Sequence, residues 1–324
     1  MSSYYWQVKR MHKKEKKRQV CGKRIASVLA VLAMTSFFTL YNWTNEAVKT
    51  AHIIPSAPRI NIENLTGKNE LSLQELKIVS EQTGINTTII KRLLRQDQGQ
   101  QILELQKAYY EPISITSVRT TPLTICEYVI DENGEYTKGT SIVNLQDGDI
   151  VITKNSRFLG WRNGHAGLVV DAEKGLILEA VMLGTNTKLC SISGWEKYPS
   201  FLVLRIKEEF QNMYEIEKVV AFAEQNLLDI PYQLHAGIWG RMTGLFEKEY
   251  SGEEKEQKSQ SRKMQDGELA QIAERALSGT HCAHVVWYAY QRIGIDLDSD
   301  GGLLVTPYDI QNSSYLEIIQ SYGY

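Results

Sequence analysis

The stretch Gly279-Thr-His-Cys-Ala-His-Val-Val-Trp-Tyr-Ala-Tyr-Gln-Arg-Ile-Gly294 constrains this chain most. It reads as one amphipathic helix. Thr280 is the expected N-cap, because its hydroxyl can accept from an orphan N–H of the first turn. Gly294 is the expected residue after the helix end, free to take a positive φ. Cys282, Val285, Val286, Ala289 and Ile293 recur at helical spacing, so one stripe faces a core. Cys282 then lies in the first turn, where the macrodipole and free N–H groups favour an anion. A lone helical cysteine is ordinarily a small buried apolar residue. A reactive thiol needs partners elsewhere in the chain.

A chain of 324 residues fits one to three domains. Net charge is −2, but residues 1–24 hold nine Lys/Arg and one Glu, leaving −10 on the rest. No basic surface remains to suggest nucleic acid as a partner. Residues 25–43 are almost wholly apolar and uncharged, close to the ~20 residues a bilayer span needs. We expect a single transmembrane anchor there, with a basic cytoplasmic tail over 1–24 and the bulk of the chain outside the cytoplasm. A cleaved signal peptide is the rival reading. The cysteines are Cys21, Cys126, Cys190 and Cys282. Three follow the apolar run, so at least one is outside any intrachain disulfide. A Cys126–Cys190 pairing is left open. The spacings match no zinc pattern, and no metal or cofactor is expected.

Residues 44–65, with Pro55 and Pro58, read as a linker. Residues 66–110 carry helical patterns around Thr83-Gly84 and read as a small helical module. From 111 the pattern turns to strands: Leu123–Ile130, a turn and strand over 147–153, a hairpin formed by His165–Asp171 and Leu176–Val181, and Phe201–Ile206. Residues 214–228 are helical in pattern, and 247–278 form a charged, Gln- and Ser-rich insertion.

A thiol nucleophile needs a base, and the base needs an orienting group. His165 opens a strand just after the turn Arg162-Asn-Gly and is the best base. His281 and His284 flank Cys282 but should point away from it on a helix. His235 is the main competitor, and His52 falls in the linker. If 171–175 is the hairpin loop, 170 pairs with 176 and 167 with 179. Glu179 then shares a face with His165, diagonal to it and within side-chain reach.

Together these pieces resemble the NlpC-type, papain-like cell-wall peptidases. Those carry a Pro-Tyr segment, an Asp-Cys-Ser-Gly helix start, a Gly-Asp-Leu-Val strand and a His-Val-Gly-Ile strand. Here Gly148-Asp-Ile-Val comes first, then Gly164-His-Ala-Gly-Leu-Val-Val, Ile177-Leu-Glu-Ala, Pro231-Tyr232 and finally His281-Cys-Ala-His-Val-Val. That order is similar to the circularly permuted branch, the YiiX/YaeF-like amidases, and the tail Val305-Thr-Pro-Tyr-Asp-Ile resembles it too. The resemblance covers about 140–310. It implies an α+β permuted papain-like domain over 111–324, an antiparallel sheet packed on the nucleophile helix, behind a transmembrane helix and the helical module. It implies Cys282 as nucleophile, His165 as base, Glu179 as the third polar residue and Tyr232 as the active-site, substrate-binding tyrosine. The expected activity is hydrolysis of amide bonds in cell-wall peptides, with peptidoglycan as the leading substrate. A lipid amide or acyl chain, or a non-catalytic cell-wall-binding module, are the alternatives. Two residues depart from the pattern: Ala283 stands where the family has Ser, and His281 where it has Asp.

Overall fold

A computed structural model describes residues 27–37, 51–211, 213–237 and 277–324. Met1–Thr50 and Ala51–Tyr324 are two units. In the first, residues 27–37 are helical. The transmembrane helix expected over 25–43 is corrected by the finding that, among the described residues, no helix is long and apolar enough to cross a membrane. The basic tail and the remainder of that run lie outside the described residues.

The second unit is α+β, with antiparallel sheets. After a short helical turn at Glu63–Thr66 come helices α1 (Leu73–Thr83), α2 (Thr87–Arg95) and α3 (Gly99–Tyr110). A Ser72–Glu75 capping box starts α1, and Gly84 ends it at φ 70°. Asn86 caps α2 by accepting from the Thr88 N–H. Strands β1 (Ser114–Arg119), β2 (Thr124–Ile130) and β4 (Ser156–Phe158) make a three-stranded sheet in the order β1-β2-β4. The larger sheet takes β3 (Ile150–Thr153), β5 (His165–Asp171), β6 (Leu176–Glu179), β7 (Lys188–Ser191), β8 (Phe201–Ile206) and β9 (Leu316–Tyr322). Its order is β7-β6-β5-β3-β8-β9. Helix α4 (Ile216–Asn226), α5 (Cys282–Gln291) and α6 (Pro307–Gln311) complete the described elements that matter here.

Strands β3 and β8 are buried at every position, because the large sheet is covered on both faces. Ile150, Ile152, Ala166, Leu168, Leu178, Leu202 and Leu204 share a core with α4 and α5. Val151, Val169, Ile177, Val203 and Phe201 share the other core with Leu76, Val79, Ile89, Ile90, Leu93 and Ile102 of α1–α3. Alternation along each strand thus feeds two cores.

Helix α5 is not the amphipathic surface helix that its spacing suggests. All ten of its residues are buried. The stripe Cys282, Val285, Val286 and Ala289 is real, but the opposite side is enclosed too, as Trp287, Tyr288 and Tyr290 show. Polar atoms on that side find partners: Trp287 Nε1 donates to Asp296 Oδ1 at 2.7 Å, and the Tyr290 hydroxyl donates to the Gly148 carbonyl. The N-cap is His281, one residue later than expected, and its ring accepts from the His284 N–H. Gly294 does take φ 80° just beyond the helix. Strands β1, β4, β7 and β9 were not expected from the sequence. The insertion over 247–278 lies outside the described residues, except for 277 and 278. Cys126 and Cys190 are both free thiols, so no disulfide joins them.

Candidate active site

Cys282 is the first residue of α5 and is 9% exposed. His165 opens β5 and pairs with Thr153 of β3. The turn before it depends on Gly164, at φ 75°, where a Cβ would come within 2.8 Å of the Thr153 carbonyl oxygen. The structure brings three of the expected residues into one chain of contacts. The His165 ring neighbours the Cys282 thiol, and its Nε2 lies 2.8 Å from Glu179 Oε2. With Nε2 held by the carboxylate, Nδ1 is the ring nitrogen left for the thiol.

The hairpin register explains the Glu179 contact. Leu168 pairs with Leu178, which places 167 opposite 179, as the loop assignment requires. The 170–176 pair does not form. A bulge between Val169 and Asp171 puts Asp171 opposite Leu176 instead. The irregularity falls between the loop and the functional residues and leaves their parity unchanged.

Charge in this cluster follows from burial and neighbours. Burial disfavours the Cys282 thiolate. Hydrogen bonds and charge from His165, then His281, overcome that and bring the thiol down to about 5. Burial likewise disfavours the His165 imidazolium, but Cys282 and Glu179 raise it to about 10. Burial opposes ionisation of Glu179, while His165 holds its carboxyl below the ordinary range. The three groups favour thiolate, imidazolium and carboxylate together.

Tyr232 adjoins this cluster. Its backbone bridges Thr280, and burial, then the neighbouring Cys282, push its phenol upward. His235, the main competitor for the base, is exposed in a turn. His52 bonds the Pro199 carbonyl at 2.6 Å and packs on Tyr322. His284 turns its Nδ1 to Thr280 Oγ1 at 2.9 Å.

Four residues of this site escaped the sequence reading. Trp195 stacks flat on His165, with ring centroids 5.0 Å apart and planes 10° from parallel. Gly167 makes room for it, because a Cβ there would meet Trp195 Cζ2 at 2.9 Å and Ile177 Cγ2 at 2.6 Å. Cys190 neighbours Glu179, and burial, then that carboxylate, push its thiol up to about 12. His281 lies beside the Cys282 thiol rather than turned away from it. The signals in the sequence were the glycine two residues after His165 and the helix-start position of His281.

Behind the base sits a buried ionic cluster. Glu127 Oε1 and Oε2 accept from Arg162 at 2.9 and 2.6 Å, Oε1 from Arg157 at 2.6 Å and Oε2 from Asn155 at 2.9 Å. Arg162 begins the turn that delivers His165. Asn155 Oδ1 also takes hydrogen bonds from Thr153 and Ser200, at 3.1 and 2.5 Å. The strand ends around His165 are thereby tied to β2. No protein-family model matches this chain, and no curated protein matches its sequence.

Proposed function

We propose that this protein is a cysteine hydrolase that cleaves amide bonds, with Cys282 as nucleophile, His165 as general acid–base and Glu179 as its orienting carboxylate. The observation that carries this reading is the buried His165–Glu179 hydrogen bond, with the Cys282 thiol beside the same imidazole at the start of a buried helix. Structural cysteines rarely need an ionised imidazole held by a buried carboxylate. The permuted order of motifs, similar to the NlpC-type amidases, supports the same chemistry.

In this mechanism the Cys282 thiolate adds to the substrate carbonyl carbon, and the C=O electron pair moves to oxygen. The N–H groups of the first turn of α5 face that oxyanion. The intermediate collapses to a thioester as His165 gives its proton to the departing amine. His165 then takes a proton from water, which attacks the thioester and releases the acid. Glu179 keeps the ring oriented and favours its cationic form. Tyr232 lines the substrate side of the thiol.

The substrate class we favour is the stem peptide of peptidoglycan, by resemblance to that family. It requires the domain to face away from the cytoplasm, which a reporter fused after Tyr324 reads directly. The test of the reaction is digestion of purified peptidoglycan followed by mass spectrometry. New amine and carboxylate termini from the wild type, absent with Cys282→Ala, support the proposal. An unchanged digest with both proteins removes this substrate class.

A further inference from the structure

The imidazole of His165 is held from two directions. Glu179 takes its edge, with Oε2 2.8 Å from Nε2. Trp195 takes its face, with ring centroids 5.0 Å apart and planes 10° from parallel. Both side chains are buried. The indole is itself fixed in place. Tyr198 meets it in a T-shaped contact at 5.5 Å, and Tyr128 stacks on Tyr198 at 5.2 Å. On the strand side, only a glycine at 167 leaves it room, since a Cβ there would meet Trp195 Cζ2 at 2.9 Å. A glycine inside a strand weakens it and often marks a place where another group must come close.

Packing alone would need only apolar bulk over the imidazole. A flat, parallel indole does more once that imidazole is protonated. The π face is the negative side of the ring quadrupole, so it attracts a cation lying over it far more than a neutral ring. Tryptophan offers the strongest such face, and the attraction grows where water is excluded. We infer that Trp195 is a positioning residue for the general acid: its indole face fixes the plane of the His165 ring and favours the imidazolium over the neutral imidazole. The role rests on the hydrolase reading above, in which the departing amine takes the proton that the imidazolium holds. The titratable groups around the same ring are Glu179 on β6, the Cys282 thiol on α5 and, beside Glu179, Lys188 and Cys190 on β7. Arg157 and Arg162, on the neighbouring strand and turn, are paired with Glu127. Trp195 differs from all of these in carrying no charge, so its face can be altered without changing the net charge of the site.

The test reads the proton on His165 directly, by nuclear magnetic resonance of the full-length chain labelled at histidine nitrogen. The His165 signals are those lost in His165→Asn. Trp195→Leu keeps an apolar side chain and removes the π face. Trp195→Phe keeps a weaker face. Monofluoro- and trifluorotryptophan, placed at position 195 alone by stop-codon suppression, keep the indole shape and withdraw electron density from its face. Trp195→Leu should lower the His165 titration midpoint by about one pH unit, a tenfold fall in the ratio of imidazolium to imidazole. Trp195→Phe should lower it by less, and the fluorinated indoles should lower it stepwise with fluorine number. The alkaline limb of amide turnover should come down with it. A midpoint unmoved by Trp195→Leu and by fluorination would make the indole a packing residue and overturn the inference. So would a midpoint that falls with Trp195→Leu but ignores fluorination, because only the face then differs. Should Trp195→Leu fail to fold, the fluorinated series decides alone. A wild type that hydrolyses no amide, yet whose His165 midpoint follows fluorination, would remove the hydrolase reading and support the stack.

Discussion

At Glu179, one carboxylate oxygen 2.8 Å from His165 Nε2 decides which ring nitrogen faces the thiol. Glu179→Gln keeps the size and removes the charge. Turnover should fall by about 10²-fold while Cys282 stays accessible to alkylation, since the carboxylate acts by orienting the base and stabilising its cation. A glutamate that merely decorated a strand would leave the kinetics unchanged. His235 is exposed in a turn, so His235→Ala should retain wild-type turnover. A loss there with an active His165→Ala would reverse the assignment of the base. Trp195 works through His165 rather than on substrate. Trp195→Phe should keep most of the stacking area and activity, whereas Trp195→Ala should cost roughly 3–5 kcal/mol of stability as a large-to-small change in a core. Calorimetry and steady-state rates distinguish the two.

At the scale of elements, the turn Arg162-Asn-Gly-His165 is held by a buried carboxylate, and the prediction belongs there. Arg162 is 4% exposed by its side chain and Glu127 is 3% exposed. Glu127→Ala would strand that guanidinium, a loss of about 3–5 kcal/mol. Lower thermal stability with a displaced His165 is the expected outcome, and an unchanged melting temperature would show that the cluster does not hold the turn. The same scale shows what the sequence makes legible. The hairpin and the identity of Glu179 were readable because period-2 parity survives a bulge that lies nearer the loop. Strand β8 was readable from its apolar run Phe201–Leu204, although Arg205 interrupts it and is buried in an ion pair with Asp149. Trp195 was not, since it reaches His165 from the short helical turn Ile192–Trp195, and no spacing rule connects the two. The Cys282 helix was readable as a helix but not as a fully buried one, because its Trp and Tyr positions look like a polar-tipped outer face until Asp296 and the Gly148 carbonyl are seen to partner them. The His281 cap was missed for a similar reason: an imidazole is an uncommon N-cap, and the neighbouring Thr280 has the usual chemistry. The expected span at 25–43 rested on the apolar run and its basic flank, and among the described residues no helix is long and apolar enough to cross a membrane.

Over the whole unit from Ala51 to Tyr324, the site is assembled from segments far apart in the chain, and both cores hold it. One core backs α5 against the sheet, and the other packs α1–α3 on the opposite face. Ile90 is fully buried in that second core. Ile90→Ala should therefore destabilise the fold by about 2–5 kcal/mol. Loss of Cys282 protection should follow the same melting transition as the helices, and two separate transitions would show that the helices fold independently. The central claim is the ion pair that this architecture imposes on Cys282 and His165, and its direct test is the pH dependence of Cys282 alkylation by iodoacetamide. The thiol is lowered to about 5 and the imidazole raised to about 10, so the rate should rise through about pH 5 and hold a plateau to about pH 10. His165→Ala removes the largest stabilising contact, and burial then dominates, so the midpoint should move up to or beyond the free-thiol value of about 8.5. A wild-type midpoint near that free-thiol value, unmoved by His165→Ala, would contradict the account and leave Cys282 a core residue.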